Sequence, residues 1–136
     1  MKRLLSVFAA FADLYGLDRE TALKLSASFG GGIGRMREIC GAFSGISLIA
    51  GLKTGCTDPA DREGKAANYE KVQQLAAAFK EANGSLICRE LLSLSEKKRA
   101  SETFVPDERT AAYYASRPCE KIVYQAALIL EKELNL

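Results

Sequence analysis

Ile39-Cys40-Gly41-Ala42-Phe43-Ser44-Gly45-Ile46-Ser47-Leu48-Ile49-Ala50-Gly51-Leu52 is the longest apolar run in the 136-residue chain. Its 14 residues fall short of the roughly 20 that span a bilayer as a helix. The run therefore predicts a buried helix, apolar nearly all round, with other helices packed about it. Gly41 and Gly45 share one face at a spacing of four, which lets another backbone approach closely. Cys40 is expected in the interior of this helix, which is read as covering about 35–54. Taken alone, Cys40 reads as a small buried hydrophobe.

Helical periodicity extends on both sides. Leu4, Val7, Phe8, Phe11 and Leu14 or Tyr15 recur at spacings of three and four, and Gly16 stops that helix. Asp18 is placed to cap a second helix carrying Ala22, Leu23, Leu25 and Phe29. Downstream, Asp58-Pro59 reads as the N-cap and first residue of a long helix. Its buried stripe is read as Tyr69, Val72, Leu75, Ala76 and Phe79, ending at Asn83-Gly84. A short helix carries Ile87, Cys88, Leu91 and Leu92. Residues 93–106 read as polar and irregular, and Asp107–Ser116 as helical. Pro118 is placed as the first residue of a last helix, whose inner face is Cys119, Ile122, Val123, Ala126 and Leu130. No segment alternates with period two over a useful length. The expected fold is one all-α domain over 1–136: a compact bundle of five to seven helices around the central apolar helix.

Composition narrows the function. The chain has 19 basic and 17 acidic residues and a net charge of +2, which calls for neither nucleic acid nor an anionic membrane surface. It has no histidine. That excludes Ser-His-Asp and Cys-His catalysis within the chain, His-dependent zinc sites and haem attachment through Cys-x-x-Cys-His. No export signal is read at Met1-Lys2-Arg3 and the apolar residues that follow, so a cytoplasmic location without a membrane span is expected. In that setting four cysteines point to reduced thiols, a redox centre or a thiolate-bound metal. Cys119 falls in the first turn of its helix, where the macrodipole favours a thiolate. Cys56 falls in a loop. No two cysteines form a Cys-x-x-Cys pair, so a shared site has to be assembled by the fold.

Gly30-Gly31-Gly32-Ile33-Gly34-Arg35 adds a second candidate. A glycine-rich loop opening a helix presents N–H groups to an anion, which marks Gly31, Gly32 and Arg35 as ligand-binding candidates. It matches neither a Walker A loop nor a dinucleotide-binding fingerprint, and a sharp turn between helices is the simpler reading.

Gly30–Arg35, Cys40-Gly41-Ala42-Phe43-Ser44-Gly45 and Gly51-Leu52-Lys53 together resemble a family named for its C_GCAxxG_C_C cysteine pattern, to which redox activity is ascribed. Cys88-Arg89-Glu90-Leu91-Leu92 and Pro118-Cys119-Glu120-Lys121-Ile122-Val123 resemble its later cysteine segments. The resemblance implies a small helical protein of bacteria or archaea working by thiol redox or metal chemistry at Cys40, Cys88 and Cys119. An iron-sulfur cluster or another thiolate-bound metal at these three residues is one form this takes. It also implies a redox partner or a transporter-associated protein, since the family's genes often lie near transporter genes. The chain departs from the pattern near Arg3-Leu4-Leu5-Ser6, which lacks the family's N-terminal cysteine, while Cys56 is extra. The expected function is a small redox-active or metal-binding protein. The competing reading is a non-catalytic helical interaction module or transporter-associated partner whose cysteines only pack, with an exposed apolar patch or a homodimer surface.

Overall fold

The computed structural model describes residues 6–136; the expected participation of Met1–Leu5 in the first helix lies outside them. The helices in chain order are α1 (Ser6–Ala12), α2 (Arg19–Ala27), α3 (Gly41–Thr54), α4 (Arg62–Asn83), α5 (Cys88–Leu91), α6 (Glu96–Ala100), α7 (Ala111–Ser116) and α8 (Cys119–Leu134). A 3-10 turn, Asp13–Tyr15, follows α1. The all-α architecture is the expected one. Among the described residues α1, α5, α6 and α7 are no more than two turns long, and α6 lies in the stretch read as irregular.

α3 is the centre. It packs against α1, α4 and α8, and α4 also packs on α8. Ala42, Ile46, Ile49 and Ala50 of α3 are fully buried, together with Leu75 and Phe79 of α4 and Ala126 and Leu130 of α8. The Phe43 and Phe79 rings meet at 5.6 Å and 59°, a tilted aromatic pair. α1 comes close at Gly45, where a Cβ would stand 3.2 Å from Val7 Cβ and 3.4 Å from the Phe8 amide nitrogen. Closer contact of α1 with α3 thus depends on the missing side chain. At the far end the Lys53 ammonium donates to the Leu134 carbonyl, pairing a cation with the C-terminus of α8.

Local signals decide the ends. Asp18 caps α2 by accepting from Thr21 N, as expected. α4 begins later than Asp58-Pro59 predicts. Asp58 instead accepts from Ala60 N within a turn, and Asp61 caps the helix by accepting from Gly64 N at 2.9 Å. Gly64 has no side chain to block that carboxylate. Tyr69 is exposed rather than part of the buried stripe, and so is Leu25 of α2, where Ser26 is buried instead. The Ser26 hydroxyl is satisfied by donating to Ala22 O at 2.8 Å. The helix read from Asp107 starts only at Ala111, and Pro118 is the N-cap of α8 rather than its first residue.

The largest departure lies before α3. The helix read as 35–54 starts at Gly41, with Cys40 as its N-cap residue. Gly31, Gly32, Ile33, Gly34 and Arg35 all have left-handed backbone, with φ between 57° and 73°, and Arg37 joins them at 60°. A right-handed helix cannot pass through such a run. The segment closes on itself through Gly34 N to Ser28 O, Arg37 N to Gly31 O and Glu38 N to Gly32 O. β-branched Ile33 at φ 65° is a costly residue there, at about 1–2 kcal/mol.

A cavity lined by three thiols

The chain that leaves this left-handed turn, residues 37–40, pairs with 86–89. Ile39 and Ile87 form an isolated antiparallel bridge. Cys40 N donates to Leu86 O at 2.8 Å, and Cys88 N donates to Glu38 O at 2.6 Å. This short pairing puts Cys40 and Cys88 on neighbouring strands of chain, each at the start of a helix. α8 packs on α3 and brings in Cys119, its first residue. Cys40, Cys88 and Cys119 all line one cavity of about 210 Å³. Gly31, Gly32 and Arg35, the residues marked from the glycine-rich loop, line it as well. Cys56 does not. It sits ahead of α4 with its sulfur 3.9 Å from the carbonyls of Asp58 and Asp61.

Gly32 is packed directly on the site. A Cβ there would stand 2.7 Å from Cys88 Cβ, 2.7 Å from Glu38 N and 2.8 Å from Arg37 Cα. The glycine loop therefore forms the roof over Cys88. Its backbone requirement (φ 73°) and its closeness to the thiol both demand glycine.

The carboxylates of the charged frame are Glu102, in the stretch read as polar and irregular, and Asp107, at the expected start of a helix. Arg35 pairs with Glu102 at 2.8 Å and with Asp107 at 3.0 Å, and donates to Thr103 O. Arg37, 4% exposed, pairs with the same Glu102 at 3.3 Å. Its other nitrogen points at Cys88 Sγ from 3.9 Å. Arg117 pairs with Asp107 at 2.8 Å. The guanidinium carbons of Arg109 and Arg117 lie over the Tyr113 ring, at 4.6 and 4.5 Å from its centre. Two arginines two residues apart in the turn, each held by a carboxylate far along the chain, leave no local signature in sequence.

All four cysteines are free thiols. Burial pushes the Cys40 thiol up to about 11; the Ala42 and Phe43 amides at the α3 N-terminus oppose this without closing a capping hydrogen bond. Burial also raises Cys88, against the pull of Arg37 and Arg117. Burial and then the neighbouring Cys88 raise Cys119, against Arg117. The macrodipole expected to favour a Cys119 thiolate is thus outweighed by desolvation. At neutral pH the site holds three protonated thiols. Among the described residues, no group of three or more His, Cys, Asp or Glu side chains is arranged to hold a metal ion. No helix there is long and apolar enough to cross a membrane.

No curated protein and no solved structure matches the chain. A family model described as "Putative redox-active protein (C_GCAxxG_C_C)" matches residues 5–133, nearly the whole chain. Over that length the chain belongs to the C_GCAxxG_C_C family.

Proposed function

We propose that this protein is a thiol redox protein in which Cys88 and Cys119 interconvert between two thiols and a disulfide, with Cys40 as a third thiol of the same cavity. The observation that carries the reading is the convergence of the three cysteines on one cavity from residues 40, 88 and 119. Cys88 is the attacking thiol, because the Arg37 guanidinium stands against its sulfur and stabilises a thiolate as it forms. Cys119 is the better resolving thiol, being only half-buried, whereas Cys40 is 5% exposed and the hardest to ionise.

The exchange balances with an external disulfide RSSR. Cys88 attacks one sulfur, forming Cys88–S–SR and releasing RSH, with the Cys88 proton carried by the leaving thiol. Cys119 then attacks the Cys88 sulfur, forming the internal disulfide and a second RSH. Two protein thiols are oxidised and one external disulfide is reduced. A thiolate-bound metal fits the donor set less well, since three thiols that no fourth donor completes are not arranged around a common point. A reducing compartment such as the cytoplasm suits a resting state of free thiols.

The test is a redox titration of anaerobically purified protein against dithiothreitol and its oxidised form, followed by acid trapping, alkylation and peptide mapping. A Cys88–Cys119 disulfide is expected, lost in Cys88→Ser and Cys119→Ser and retained in Cys56→Ser. Absence of any internal disulfide across the titration refutes the reading and favours an interaction module whose cysteines only pack.

A further inference from the structure

The cavity wall is strongly unbalanced in charge. Arg35, Arg37, Arg109 and Arg117 line it, and the one lining carboxylate is Asp107. Glu102, behind the wall, is shared by Arg35 and Arg37. Four cations against two carboxylates leave an excess that matches the net +2 of the entire chain, concentrated around three neutral thiols. Burial acts to raise the Asp107 pKa, but the arginines around it hold the carboxyl below its ordinary value, so both acids are already engaged as counter-ions. Arg109 is different. It meets the ring and hydroxyl of Tyr113 and, among the described residues, no carboxylate. It is also exposed, so it stands at the open side of the cavity with charge to offer. The N-terminal ends of α3, at Gly41, and α8, at Cys119, open on the same space and add to the positive potential.

We infer that the oxidant reduced at this site is a small disulfide bearing carboxylates, held by Arg109 at the cavity mouth with its S–S bond directed to Cys88. The inference rests on the thiol-exchange reading above and names its substrate class. A volume of about 210 Å³ corresponds to roughly seven water molecules, so it admits a molecule of amino-acid to dipeptide size. The atoms balance as above, with RSSR an anionic disulfide and the two products its carboxylate-bearing thiols.

The experiment uses three disulfides of similar length and different charge: 3,3′-dithiodipropionate (anionic), bis(2-hydroxyethyl) disulfide (neutral) and cystamine (cationic). The rate of internal disulfide formation in the reduced protein is measured with each. Each rate is divided by the rate of the same disulfide with dithiothreitol, which removes the differing leaving-group reactivity. The normalised rates are expected to fall from anion to neutral to cation, by about tenfold or more between the extremes at low salt, and to converge at high salt. In Arg109→Gln the anion-to-cation ratio is expected to shrink, and in Arg109→Lys to persist; because it is a ratio within one protein, partial unfolding cancels. Equal normalised rates, or a preference for cystamine, overturn the substrate assignment while leaving the thiol-exchange reading intact. An undiminished ratio in Arg109→Gln overturns the role given to Arg109. No internal disulfide with any of the three defeats the thiol-exchange reading itself, and the inference with it.

Discussion

Gly32→Ala tests whether the glycine turn really roofs the thiol site. Two costs act at once. Alanine in left-handed backbone costs about 1–2 kcal/mol. A Cβ at position 32 also falls within 2.8 Å of Cys88 Cβ, Glu38 N and Arg37 Cα, and none of these is the far end of a flexible side chain. Overpacking of that kind costs about 1–3 kcal/mol more. Gly34 is the natural comparison, since it has φ 57° but nothing within 4 Å of its would-be Cβ. Gly34→Ala therefore carries only the backbone cost, and the difference between the two variants isolates the close approach to Cys88. For a chain of this size 1 kcal/mol lowers Tm by about 3–4 °C. Gly34→Ala is expected to lower it by about 3–8 °C and Gly32→Ala by about 6–20 °C, read by circular dichroism melts and urea titrations at fixed redox state. Gly32→Ala should also raise the alkylation rate of Cys88, mapped by mass spectrometry, because the turn must lift away from it. Equal destabilisation by the two substitutions, with Cys88 alkylation unchanged, would refute the packing of the turn on the thiol.

Two more outcomes follow from the same site. Cys40 has a folded pKa of about 11 against an ordinary value of 9.0, so the stability its buried neutral thiol contributes is complete below pH 9 and is lost as pH rises towards 11, by about 3 kcal/mol in all; urea titrations over that range should show the loss in the wild type and a smaller one in Cys40→Ala. Glu102→Ala leaves Arg37 buried without its carboxylate and should destabilise by about 3–5 kcal/mol, whereas Asp107→Ala, at a side chain 45% exposed, should cost about 1 kcal/mol or less; similar melts for the two would contradict the buried pairing.

The sequence by itself determined the helices and the core. Periodicities of three and four place Val7, Ala22, Leu75, Phe79, Ala126 and Leu130 correctly because one apolar face must be buried wherever the helix ends up. Its cysteine pattern also singled out Cys40, Cys88 and Cys119, the three thiols that line one cavity in the fold. Where the helix containing Cys40 begins was decided by tertiary structure. Helical spacing continues through Met36 and Cys40, yet the pairing of 37–40 with 86–89 and the left-handed run at 31–35 hold the chain out of the helix until Gly41. The same holds for the cap of α4, where two aspartates compete and Gly64 lets Asp61 win. The site depends most on the fold. Arg35 and Arg37 meet the Glu102 carboxylate more than 60 positions away. Such pairs arise from loop closure rather than from any local period. The thiol ionisation is likewise a property of the assembled cavity: at Cys119 the sequence shows a helix N-terminus that favours a thiolate, and only burial against α3 and its neighbours reverses that balance.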